Sequence, residues 1–333
     1  MKTVIFYSFK GGVGRTQTMF NIAKYLSSEK NKKIALVDLD LYAPGISYLH
    51  SYRKESPEED YFLQYLVNLF DNKNINKIVT EKLDDNLTII PAYNMKNIKP
   101  YNHLLIELSK YFYSIKLNAQ KNADDLSTVA DNIFDTIKND IAKTGDYAYI
   151  FFDARTGLTE ISDILFSQYS DVKVIISSYN KQNIEGTNSI LELLSESETV
   201  EKHNILRVLS PKPKIDMQEL PSIKSKADLE DKPNLKEKFN WIGTFEVQYE
   251  EKVVVSNFDV WEKTTKKCIY RQNIINLADT LDSNLNEEIK KLQEEKQDLI
   301  SIKYQLSAQN ENLHILLSNQ KEEISKMQDL AKI

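Results

Sequence analysis

The sequence predicts an α/β protein: a mostly parallel, doubly wound sheet with flanking helices, followed by a C-terminal coiled-coil helix. Three observations lead there. Short unbroken apolar runs recur along the chain, among them Val4-Ile5-Phe6-Tyr7, Ile34-Ala35-Leu36-Val37 and Tyr149-Ile150-Phe151-Phe152. Such runs suit strands buried on both faces, as parallel strands are. Helical patterns of apolar spacing separate them. From Leu285 onward, leucine recurs at every seventh position to Leu313.

The first strand runs into Phe9-Lys10-Gly11-Gly12-Val13-Gly14-Arg15-Thr16, and a helical pattern follows from Gln17 to Leu26. Strand, glycine-rich turn and helix form the context of a phosphate-binding loop. Glycines let successive N–H groups converge on an anion, and the helix directs its positive end at the same place. Thr16 stands where a hydroxyl would ligate Mg²⁺. Two positions depart from the general G-x-x-x-x-G-K-[ST] pattern: Phe9 replaces the first glycine and Arg15 replaces the lysine. Arg15 keeps the charge but exchanges a point cation for a planar fork.

The second strand ends in Asp38-Leu39-Asp40-Leu41-Tyr42. Two aspartates at a strand's C-terminal end face the crevice where open α/β sheets bind ligands. The plainer alternative is that one of them caps the next turn. Residues 51–83 read as polar and mainly helical, with Tyr61 to Phe70 apolar enough to pack. Asp85 to Ala92 reads as a strand, and 100–143 as a second helical block. His103 there reads as a surface or packing histidine. The run ending in Asp153 has Walker B form, a strand that delivers a carboxylate beside the phosphate loop to hold Mg²⁺. Arg155 follows, either to stabilise developing phosphate charge or to pair with a carboxylate. Val172 to Ser178 and Ile205 to Leu209 are further strands, with a helix from Asn180 to Leu194 between them. The lysine-rich stretch 212–238, with loop signals at Pro213, Pro221 and Pro233, reads as a flexible excursion. Trp241 to Phe245 and 270–283 give the last strand and a closing helix.

These motifs resemble the ParA/MinD family of ATPases, the deviant Walker A branch of the P-loop NTPases. The resemblance covers about residues 1–280 and rests on three motifs in order, each at a strand end. It implies ATP and Mg²⁺ as ligands. It places the nucleotide on Lys10, Gly11, Gly12, Val13, Gly14, Arg15, Thr16 and Gln17. It makes Asp40 the residue that orients attacking water, with Lys10 and Arg15 stabilising the phosphates. It gives the metal to Thr16 and Asp153, with Asp38 one shell further out. Lys10 holds the place of the family's signature lysine, which reaches the phosphates of the other subunit, so the resemblance implies a homodimer across the nucleotide. The loop from Ser210 to Lys214 lacks the family's usual asparagine, which leaves ATP against GTP to the resemblance.

Composition sets outer bounds. At 333 residues the chain holds one large domain, or one domain and an appendage. A net charge of −6 gives no support to DNA binding through overall charge, though a local basic patch stays open. One cysteine, Cys268, allows no intrachain disulfide, which suits a reducing cytoplasm. The apolar N-terminus is too short for a signal peptide, and no window offers the roughly 20 apolar residues of a membrane span. The boundary falls near residue 280: an ATPase domain over 1–280, then a coiled coil over 281–333. The seam's second position carries Ile289, Lys296, Lys303, Asn310, Leu317 and Ile324. A buried asparagine favours parallel pairing, whereas the central lysines repel in a homodimer. Self-association and pairing with a helical partner protein therefore both stay open. The tail's balanced charges do not favour a membrane surface. Three functions fit: a slowly hydrolysing dimeric switch that positions or regulates a partner, a nearly inactive ATP-binding subunit controlling a neighbouring effector, for example in an anti-phage defence module, and a nucleotide-stabilised scaffold.

Overall fold

A computed structural model describes residues 1–49, 59–71, 73, 76–94, 98–119, 123–157, 170–196, 202–213, 219–248, 250, 261, 264–265, 267–287 and 303, with backbone alone for 112, 114–119 and 123–132. The chain divides into two compact units, Met1–Leu281 and Asp282–Ile333. Apart from residue 303, the expected coiled coil beyond 287 lies outside the described residues.

The strands are β1 (Lys2–Tyr7), β2 (Ile34–Leu39), β3 (Glu59–Asp60), β4 (Lys77–Ile78), β5 (Glu81–Lys82), β6 (Leu87–Ile90), β7 (Tyr149–Ala154), β8 (Val172–Ser177), β9 (Asn204–Lys212) and β10 (Asn240–Gln248). The helices are α1 (Arg15–Glu29), α2 (Phe62–Phe70), α3 (Ile98–Ala119), α4 (Ala123–Ala142), α5 (Lys181–Ser195), α6 (Leu220–Ala227), α7 (Pro233–Lys236) and α8 over 269–287, with a 3-10 turn at Ile46–Leu49. Eight strands form one sheet in the order β10-β9-β8-β1-β7-β2-β6-β5, and every pairing except β5 with β6 is parallel. The expected mostly parallel sheet is therefore found. Its central strands are buried at every residue from Val4 to Tyr7, Ile34 to Leu39 and Tyr149 to Ala154. That double-sided burial is why their sequences are unbroken apolar runs.

Two expectations need correction. Residues 51–83 are not mainly helical among the described residues: α2 is flanked by β3, β4 and β5. Asp60 fixes this region, because its buried carboxylate accepts from Asn68 Nδ2 at 2.8 Å and from the Asn76 backbone at 3.3 Å. The stretch 212–238 is not a flexible excursion throughout. β9 continues through Lys212, and Pro221 and Pro233 lie in the first turns of α6 and α7, where proline costs no hydrogen bond. Asp228, beyond α6, accepts from Trp241 Nε1 at 2.9 Å and Thr244 Oγ1 at 2.6 Å and so ties this segment to β10.

The topology sets the site. β7 lies between β1 and β2, and all three run the same way. In register, Phe6 and Asp38 both stand beside Asp153. The loop after β1 and the carboxylates of β2 and β7 therefore meet at one edge, at the strands' C-terminal ends.

Candidate active site

The loop after β1 needs glycine at two positions. Gly12 (φ 77°) and Gly14 (φ 76°) are left-handed, a region that side chains other than glycine adopt at a cost. Gly14 caps α1, and its carbonyl accepts the Thr18 N–H at 2.8 Å. Phe9 has no such backbone requirement, since it is absent from the left-handed residues. Its ring instead packs over α5: a Cβ placed on Gly186 would stand 2.2 Å from it. The departure from glycine at position 9 thus anchors the loop to α5.

Arg15 opens α1 and points inward, 7 % exposed. Its Nε donates to Asp153 Oδ1 at 2.6 Å, its Nη2 to Asp40 Oδ2 at 3.0 Å, and its Nη1 to Ser8 Oγ at 3.4 Å. Thr16 Oγ1 donates to the other oxygen of Asp153 at 2.6 Å. Burial disfavours the Arg15 charge, but Asp153 and Asp40 outweigh it and hold the guanidinium above its ordinary range. Burial pushes the Asp153 carboxyl up, against the opposing pull of Arg15 and Thr16. With donors on both oxygens, Asp153 is held as a carboxylate.

Asp38 is fully buried one strand away. Its Oδ2 accepts from the Ser47 backbone and hydroxyl, each at 2.8 Å, and Ser47 Oγ in turn accepts from the Ala92 N–H at 2.8 Å. Burial, then the charge of Asp153, pushes the Asp38 carboxyl up to about 7. Its Oδ1 has no hydrogen-bond partner. A capping role for Asp38 is thus partly met, through Ser47, while half of the carboxylate stays unengaged inside the site.

Lys10 is half-buried and makes no ion pair among the described residues. Val13 is buried and Gln17 half-buried. The segment after β7 lies along the loop: the Gly157 N–H reaches Ser8 O at 3.4 Å, and Thr156 Cγ2 lies 4.0 Å from where a Gly11 Cβ would be. Arg155 pairs with no carboxylate among the described residues; its guanidinium carbon sits 3.8 Å from the centre of the Tyr42 ring. His103 is surface-exposed, as expected, with Nδ1 3.5 Å from Glu107. Ser8, Tyr42 and Ser47 had no sequence signal beyond closeness to a motif. Ser210 stood out only as the start of the Ser210–Lys214 stretch that lacks the family's asparagine, yet its Oγ stands 3.5 Å from a Cβ built on Gly14.

The donors suit a hard divalent cation. Thr16 and Asp153 bring oxygens together, and Asp38 Oδ1 is a buried, unpartnered oxygen close by. No three His, Cys, Asp or Glu side chains among the described residues form a metal cluster.

A family model described as an AAA domain, AAA_31, matches residues 1–207. The chain belongs to that family. This AAA_31 chain is also 35 % identical over 92 residues to the virulence plasmid ParA family protein pGP5-D of Chlamydia psittaci, a match over 28 % of this chain and about a third of the length of that relative. Among solved structures it is similar to an ATP complex of a Cyanothece McdA variant (TM-score 0.58, 15 % identity, 85 % of this chain and 96 % of that one). It is similar as well to the MinD cell division protein of Aquifex aeolicus (0.52, 19 %, 85 % and 97 %) and to a ParA family ATPase of Chlorobium tepidum (0.51, 16 %, 83 % and 98 %). At these identities the likeness is one of fold. With the family match and the ordered motifs, the resemblance to ParA/MinD-like P-loop ATPases holds.

Proposed function

We propose that this chain binds ATP with Mg²⁺ and hydrolyses it slowly as a dimeric switch. The observation that carries the reading is the convergence of Arg15, Thr16, Asp40 and Asp153 below a loop with two left-handed glycines. The N–H groups from Gly11 to Thr16 and the start of α1 receive the phosphates. Thr16 and Asp153 hold the metal, with Asp38 behind them; bound there, Mg²⁺ neutralises phosphate charge. Asp40 orients the attacking water. Lys10, which no carboxylate holds among the described residues, serves the nucleotide of a second copy.

Slow turnover follows from Arg15. Its fork now occupies Asp40 and one oxygen of Asp153. Both must be released before they act on water or metal. The same contact favours a second reading, a nearly inactive ATP-binding subunit that regulates an effector. The domain over 1–280 carries the nucleotide chemistry, and the segment from 281 presents the switch to a partner or to a second tail.

Calorimetry of nucleotide-free protein against Mg·ATP tests binding; absence of heat ends both readings. Phosphate release separates them. Asp40→Ala is expected to trap an ATP-bound dimer, seen as an earlier elution in size exclusion with ATP. An unchanged elution volume counts against the dimer.

A further inference from the structure

We propose that Arg155 is this chain's own contact to the terminal phosphate of its nucleotide, and that Tyr42 holds it ready. The inference rests on the nucleotide reading above and concerns how the site tells a triphosphate from a diphosphate.

Charge makes the case first. Arg15, the cation inside the loop, is committed to two carboxylates, Asp153 and Asp40. One cation against two anions leaves that buried cluster net negative, with Asp38 behind it. A triphosphate adds further negative charge. Backbone N–H groups, a helix end, Mg²⁺ and Lys10 of the second copy offset part of it. The remainder calls for a side-chain cation with no carboxylate of its own. Among the described residues bordering the loop, Lys10 and Arg155 meet that condition, and Lys10 is assigned above to the partner's nucleotide.

Position makes the case second. Arg155 lies two residues after Asp153, at the C-terminal end of β7. The segment it begins is fastened to the loop through Gly157 and Ser8 at 3.4 Å and lies against Gly11 through Thr156. A side chain there borders the outer end of the phosphate cradle. Gly157 is left-handed at φ 77°, which turns the chain sharply just past Arg155.

Third, the present contact of Arg155 is one it can leave. Its guanidinium lies on the Tyr42 ring, 3.8 Å from the centre, and that ring is half exposed. A cation–π contact at a partly exposed ring is weaker than a charge-assisted bond to phosphate. Tyr42 is itself fixed. Its hydroxyl is 3.1 Å from Ser109 Oγ on α3, and the Tyr101 hydroxyl donates to the adjoining Leu41 carbonyl. The ring therefore stores the guanidinium beside the site, where an arginine fork matches phosphate oxygens.

The test compares full-length wild type, Arg155→Ala and Arg155→Lys by calorimetry with Mg·ADP and with Mg²⁺ and a non-hydrolysable ATP analogue. Arg155→Ala is expected to lose about 10- to 100-fold in affinity for the analogue. Its ADP affinity is expected to stay within about twofold of wild type, and Arg155→Lys to fall between. Equal losses for both nucleotides, or no loss in a variant with wild-type thermal stability, overturn the proposal. Should Arg155→Ala fail to fold, Arg155→Lys alone decides by the same ratio. If wild type binds neither nucleotide, the nucleotide reading itself fails and Arg155 falls with it. If wild type binds both and the variants match it, Arg155 alone is refuted.

Discussion

Arg15 Nε lies 2.6 Å from Asp153 Oδ1, and the two side chains are 7 % and 0 % exposed. A pair this deep is far more costly to break than a surface ion pair. Removing the cation leaves two buried carboxylates without their neutralising partner. Arg15→Met is expected to destabilise the folded chain by about 3–5 kcal/mol in urea unfolding. Arg15→Lys keeps the charge but cannot span Asp153, Asp40 and Ser8 together, and is expected to cost less. Arg15→Met as stable as wild type would refute the account.

Asp38 predicts a pH dependence. Its folded-state pKa, about 7, lies above the ordinary carboxyl value of about 3.9. The native state thus keeps a proton that the unfolded chain has released. Stability is expected to fall as pH rises from about 4 to about 7. Asp38→Asn keeps an acceptor for Ser47 and has no proton to lose. Urea midpoints at pH 5 and pH 8 are expected to differ less for Asp38→Asn than for wild type. An equal slope in both proteins would remove Asp38 as the cause.

Gly186 predicts a steric coupling. An alanine Cβ there would meet three atoms of the Phe9 ring between 2.2 and 2.6 Å. Gly186→Ala is expected to destabilise by about 1–3 kcal/mol, as overpacking does. Phe9→Ala frees the space, so the double variant is expected to lose less than the sum of the two single changes. Additive losses would show that Phe9 is not what Gly186 accommodates.

Arg207 predicts an unusual gain. It lies fully buried on β9; its Nη1 reaches Asn188 Oδ1 only at 3.5 Å, and its Nε and Nη2 have no hydrogen-bond partner. Burial pulls its pKa down to about 9. Replacement of buried charge by an apolar side chain of similar volume commonly stabilises by about 1–4 kcal/mol. Arg207→Met is expected to raise the thermal midpoint; a lower midpoint would mean that the guanidinium has a stabilising role.

Much of this was legible because the motifs are local. An unbroken apolar run followed by glycines, or ended by an aspartate, carries its own context, so β1, β2, β7 and the residues at their ends were readable in place. What was not legible depended on distance. Ser47 acts on Asp38 across nine positions and a turn. Phe9 looked like a defect until Gly186, far along the chain, explained it. Around Asp228 the prolines suggested loop, since both helix starts and loops use proline and a single sequence does not separate them. β3 and β4 are two residues each and depend on Asp60, a contact no periodicity announces.

The place of β7 has a consequence for how this molecule is made. It is wedged between two strands that leave the ribosome more than a hundred residues before it. Those early strands cannot pair with each other; both wait for the same late arrival. Synthesis therefore carries a long interval in which two apolar segments lack their neighbour, and delayed closure of this kind slows assembly and exposes the nascent chain to aggregation.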